Sequence, residues 1–68
     1  MKIVVNGAPR NVAEHATVED VVREVRGEAV RAGVAVARNG EVVPRATWKH
    51  ARLAEGDRVE VLTAVQGG

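Results

Sequence analysis

The chain begins with a short β-branched run, Ile3-Val4-Val5, that stops at Asn6-Gly7. Asn-Gly is the strongest short hairpin signal, because both positions of a two-residue turn need positive φ. A strand over Lys2–Val5 is therefore predicted to turn back into a weaker strand over about Arg10 to Ala13, with Pro9 suited to a strand start or an edge. The period then changes. In TVEDVVREVRG, Val18, Val21, Val22 and Val25 recur at i, i+3, i+4 and i+7, one apolar stripe of a helix. Thr17 is placed to be its N-cap, with Asp20 three residues on in a capping-box spacing, and Glu19 adds charge that suits the dipole. Arg23 and Arg26 fall near the far end and Gly27 is the expected C′ residue.

GEAVRAG, 27–33, reads equally as a frayed helical turn or a loop. VAVARNGEVV repeats the hairpin pattern, with a strand over Val34 to Arg38, a turn at Asn39-Gly40 and a strand over Glu41 to Val43. Pro44 ends it, having no N–H for a ladder. RATWKHARLAE is irregular or contains one helical turn, and Trp48 is expected to cover an edge of the core. AEGD is a turn, and RVEVLTAV is the last strand.

Hairpin, helix, hairpin, turn and final strand make an α+β chain, with one main helix across one face of a mixed sheet of four or five strands. The first and last strands lie in the middle, which is the β-grasp, or ubiquitin-like, arrangement. Alternation assigns the faces. Met1, Ile3, Val5, Val59 and Val61 turn toward the helix, whereas Lys2, Val4, Glu60, Leu62 and Ala64 turn away. On that reading Val4 and Leu62 are neighbours on the open face, either isolated surface apolar residues or a docking patch for a partner protein.

Composition narrows the rest. The chain has 68 residues and 46% apolar residues, of which fifteen are Val and eleven Ala. That is one domain, 1–68, near the lower size limit for a core without staples, and its interior is too small to enclose a cofactor. With no cysteine, disulfides, thiolate metal sites and a Cys nucleophile are excluded. A formal charge of +1, well mixed along the sequence, offers no footprint for nucleic acid or an anionic membrane. No apolar run reaches a membrane span and no signal peptide is evident, so a cytoplasmic location is expected. His15 and His50 lie far apart and are expected on the surface, the glycines form no phosphate-binding loop, and the carboxylates scatter as solvated charges. No nucleophile–base pair stands out, so no catalytic residue and no metal ligand is assigned.

The ending carries the chemistry. At a usual glycine frequency of about 7%, two terminal glycines arise by chance in about one chain in two hundred. Gly67 and Gly68 lack a Cβ, so they can thread a narrow channel and leave the Gly68 carboxylate unhindered. Gln66 to Gly68 offers little to bury and is expected to be flexible, as part of a tail over 65–68.

VPRATW at Val43 to Trp48, AEGDRVEV at Ala54 to Val61, IVVNG near the start and the closing AVQGG together resemble the thiamine-biosynthesis sulfur carriers, the ThiS family. The resemblance spans the whole chain. It implies a protein that is not itself an enzyme and binds no cofactor. Its C-terminal glycine, Gly68 here, is adenylated by a partner adenylyltransferase of the ubiquitin-activating type that uses ATP. Sulfur from a cysteine desulfurase-type donor system then replaces AMP, and thiazole synthase takes it from the thiocarboxylate. Val65, Gln66 and Gly67 would be the tail that partners grip. Gly-Gly alone is shared with the molybdopterin and tRNA-thiolation carriers, and a plain β-grasp interaction domain with an incidental Gly-Gly stays open as well.

Overall fold

Five strands are laid down in the order expected from the two Asn-Gly turns. The computed structural model describes residues 1–27 and 33–63. Its elements are β1 (Lys2–Val5), β2 (Ala8–Asn11), α1 (Val18–Arg26), β3 (Val34–Arg38), β4 (Glu41–Val42), a 3-10 turn (Arg45–Thr47) and β5 (Arg58–Thr63). Both turns have positive φ at Asn and at Gly, 50° and 83° at Asn6-Gly7 and 50° and 87° at Asn39-Gly40. This geometry matches the right-handed twist of the flanking strands. It also corrects the start of β2. A two-residue turn forces Ala8 to pair directly with Val5, so the strand begins at Ala8 and carries Pro9 opposite Val4. Pro9 is tolerated because β2 is an edge.

The sheet order is β2-β1-β5-β3-β4. β1 and β5 run parallel, with Val4 opposite Arg58 and Val5 opposite Val59, and β3 runs antiparallel to β5 over five residue pairs. This is the β-grasp arrangement, with the last strand at the centre.

The helix begins as the sequence predicts. Thr17 Oγ1 accepts from the Asp20 N–H at 3.3 Å and Asp20 Oδ2 accepts from the Thr17 N–H at 3.0 Å, a complete capping box. The other free N–H groups of the first turn also find partners. Val18 donates to the Ala51 carbonyl at 2.9 Å and Glu19 to the Trp48 carbonyl at 3.2 Å. The segment between β4 and β5 is thus sewn to the start of α1. Gly27 closes the helix at φ 85°, its N–H donating to the Arg23 carbonyl.

The core lies between α1 and the inner face of the sheet. Val18, Val21 and Val22 from the helix meet Ile3, Val5, Val36, Val59 and Val61 from the strands, with Val12, Ala16 and Leu53 at the margins. Trp48 departs from expectation. It is not an edge cover but part of the core, 2% exposed, its Nε1 donating to the Val43 carbonyl at 2.9 Å. With so many Val side chains the interior lacks volume, and one indole supplies it while its single donor is satisfied.

Trp48→Ala should therefore remove about 3–5 kcal/mol, comparable with the whole stability of a domain this small. Urea denaturation followed by far-UV circular dichroism should find that variant largely unfolded, whereas Ile3→Val should cost only about 0.5–1.5 kcal/mol.

Candidate functional site

β5 is the element that leads into the Gly-Gly end, so its surroundings define the candidate site. Arg58, Glu60 and Leu62 alternate on its outer face and Val59 and Val61 on its inner face. Register with β3 places Leu62 opposite Ala35 and Glu60 opposite Ala37, and Ala37 in turn faces Val42 on β4. Leu62, Ala35, Ala37 and Val42 therefore make one apolar surface on the side of the sheet away from α1. Leu62 is 59% exposed and Val42 77%, the two large apolar residues left open among the described residues.

The expected pairing of Val4 with Leu62 does not hold. Val4 is opposite Arg58, four residues short of Leu62 along the strand. At about 3.3 Å per residue that is some 13 Å. Alternation puts the two on the same face, but the parallel register decides distance along it. Val4 lines instead a shallow groove of about 550 Å³ between the two Asn-Gly turns, with Gly7, Asn39, Gly40, Arg58 and Glu60. Val42 was not foreseen as part of the patch. Its signal is its place two residues after the second Asn-Gly, which fixes it opposite Ala37. Val65, Gln66, Gly67 and Gly68 lie outside the described residues.

β5 is gripped on both sides. Beyond the end of β1, the Asn6 side chain takes over the ladder: its Oδ1 accepts from the Val61 N–H at 2.8 Å and its Nδ2 donates to the Val61 carbonyl at 3.3 Å. On the other side Asn39 Oδ1 accepts from the Arg58 N–H at 2.9 Å. At the start of the strand sits Asp57, only 8% exposed. Its Oδ2 accepts from Arg38 Nε at 2.9 Å and from the Ala54 N–H at 2.8 Å, and its Oδ1 from Asn39 Nδ2 at 3.1 Å. The second Arg38 nitrogen stands 2.8 Å from Oδ2. This buried carboxylate corrects the view that all acidic residues are solvated charges. Burial alone would raise its pKa, but the Ala54 N–H, the Asn39 amide and the Arg38 guanidinium outweigh that and hold it below 3.8.

Among the described residues little else could do chemistry. His15 and His50 are exposed. His50 shares a second shallow groove with Glu19, Arg45, Trp48 and Lys49, where the Arg45 guanidinium lies 5.2 Å from the Trp48 ring centre. Among the described residues no group of three or more acidic or His side chains is placed to hold a metal ion. No described helix is long and apolar enough to cross a membrane.

Comparison with known proteins adds what the described residues do not. The family model described as the ThiS family matches residues 3–68. The crystal structure of thiamine biosynthesis protein ThiS from Geobacter metallireducens is 34% identical, with a TM-score of 0.81 and the whole of both chains covered. A solution NMR structure of a thiamine biosynthesis protein from the same organism is 33% identical, with a TM-score of 0.78 over all of this chain and 88% of that one. A thiazole synthase from Paramagnetospirillum magneticum is 35% identical over all 68 residues, and the chain spans only 20% of that protein's length.

The Asp57 network predicts a pH dependence. Its folded pKa is lowered, so its contribution is complete above the unfolded value of 3.8 and is lost as pH falls through the lower folded value. Asp57→Ala should cost about 2–3 kcal/mol near neutral pH by stranding its donors. The loss should shrink in acid, read by urea titrations across pH.

Proposed function

Because the chain belongs to the ThiS family, we propose that it is a sulfur carrier of thiamine biosynthesis whose working group is the Gly68 carboxylate. The observation that carries this reading is a family match that runs from residue 3 through both terminal glycines, on a domain whose central strand leads into them. A carboxylate is a poor acyl donor until activated. An oxygen of Gly68 attacks the α-phosphorus of ATP in a partner adenylyltransferase, releasing pyrophosphate and leaving an acyl-adenylate. The terminal sulfur of a persulfide from a desulfurase-type donor then attacks the acyl carbon and displaces AMP, and a thiol cleaves the resulting S–S bond, leaving a thiocarboxylate and a disulfide. The likeness to a protein named thiazole synthase, of which a stretch resembling this chain forms a fifth, supports thiazole synthase as the acceptor of that sulfur. The chain itself acts as a substrate rather than an enzyme, and ATP belongs to its partner.

The apolar surface of Leu62, Ala35, Ala37 and Val42 is the docking anchor in this reading. It lies on the strand that runs into the tail, so a partner that covers it is positioned to receive Val65 to Gly68. Its exposure means that it contributes little to the fold, and apolar side chains held in the open beside a reactive end are suited to an interface. Val4 sits on the same face but on β1, level with the start of β5, so its part is lesser.

The test is intact mass after incubation with ATP, the activating enzyme and a sulfur source, with replacement of one oxygen by sulfur as the readout. Adding one residue after Gly68 displaces the carboxylate by about 3.5 Å, beyond the tolerance of a near-attack geometry. Gly67→Val adds a β-branched side chain where a channel leaves no room. Both should abolish thiocarboxylate formation without changing the melting temperature. Leu62→Asp and Val42→Asp should weaken adenylation by about 1–2 kcal/mol, roughly five- to thirty-fold in kcat/KM, while leaving the fold intact. Full sulfur loading of the extended, untrimmed protein would overturn the carrier reading.

A further inference from the structure

Two asparagines play one role from opposite sides of the sheet. Asn6 and Asn39 each open a two-residue turn at φ 50° and each is followed by a glycine. Each also lays its side-chain amide on β5 with both ends engaged. Asn6 holds the Val61 N–H and carbonyl, and Asn39 holds the Arg58 N–H and Asp57 Oδ1.

Asn-Gly is also the dipeptide least hindered against attack on itself, since glycine has no Cβ to obstruct its own nitrogen. That nitrogen adds to the asparagine Cγ, a C–N bond forms, and ammonia leaves with the displaced amide nitrogen. Water then opens the resulting succinimide at one of its two carbonyls, giving aspartate or isoaspartate. No oxidant or enzyme is required. The asparagine side chain must, however, rotate until Cγ meets the next nitrogen. An amide held at both ends has to let go first.

We infer that Asn39 is a deamidation site that the folded sheet keeps unreacted, and that its conversion turns a lock on β5 into a repulsion. The two turns differ in what conversion would do. At Asn6 an aspartate still accepts from the Val61 N–H, and the loss is one long bond of 3.3 Å to a neutral carbonyl. At Asn39 the new oxygen takes the place of a donor 3.1 Å from Asp57 Oδ1, which sets two carboxylates face to face. The charged groups around the turn are Arg38 and Glu41 from the β3–β4 hairpin, Asp57 just before β5, and Arg58 and Glu60 from β5. Arg38 already spends two nitrogens on Asp57 Oδ2. Two like charges this close ionise together only at a cost, so the pair sheds its repulsion by taking up a proton. An isoaspartate does further harm, because it inserts a methylene into the backbone of a turn whose two residues set the β3–β4 register.

The experiment holds the full chain in mildly alkaline buffer, folded and separately unfolded in urea, and follows amide-to-acid conversion at both sites by peptide mapping. Conversion at Asn39 should be slower by about tenfold or more in the folded protein, since the reactive geometry is reached only through local opening. Asn39→Asp mimics the product. It should be less stable than the parent at neutral pH by more than Asn6→Asp is, and the gap should narrow as pH falls through the carboxylate range. Asn39→Gly suits the turn but carries neither amide nor charge. It should lose less than Asn39→Asp and show no pH dependence beyond the parent's. An Asn39→Asp protein that is unfolded at neutral pH and refolds on mild acidification supports the proposal equally. Equal conversion rates in the folded and unfolded chain would overturn it. So would an Asn39→Asp variant whose stability gap to the parent is unchanged across that pH range.

Discussion

The parallel pairing of β1 with β5 is the constraint on which the rest of the molecule depends. It joins positions as far apart in sequence as Val4 and Arg58 and makes the last strand the central one. Once β5 is central, both its faces and both its edges are determined. Val59 and Val61 must meet the helix, Glu60 and Leu62 must face away, and its backbone must be satisfied from two sides. β1 is too short to supply one side beyond Val59, and the Asn6 side chain stands in for the missing residue. Asn39 and Asp57 secure the other side near the start of the strand. The sheet therefore fixes the strand that leads toward the two C-terminal glycines, while the helix only backs it.

Much of this was legible in the sequence, for reasons that are local. A two-residue Asn-Gly turn demands positive φ at both positions, so both hairpins could be placed to within a residue or two. The Thr17–Asp20 capping box and the 3.6-residue spacing of Val18, Val21, Val22 and Val25 likewise depend only on near neighbours, and α1 begins where they require. Face assignment depends only on alternation and was correct for Ile3, Val5, Val59, Val61 and Leu62.

What escaped is non-local. Alternation gives the face of Val4 and Leu62 but not the parallel register, which separates them. An Asp in an Ala-Glu-Gly-Asp turn looks like any solvated turn residue. Only the assembled sheet brings Arg38, Asn39 and the Ala54 N–H around Asp57. Trp48 could be identified as apolar bulk, but its full burial follows from how little volume the valines provide. The candidate site divides in the same way. Its proposed chemical end rests on two glycines outside the described residues, whereas its apolar surface needed the registry of three strands to add Val42 to Leu62.

The central place of β5 also has a consequence in time. Contacts between residues some fifty positions apart cannot reward the chain until both partners exist and the intervening loop has closed, and such topologies fold slowly for their size. The two hairpins and the capped helix can form as they are synthesised, but the sheet has no middle until the strand ending at Thr63 is available. A nascent chain therefore exposes the inner faces of β1 and β3 to its surroundings until synthesis has nearly passed the whole domain. Commitment to the native state then comes late and all at once.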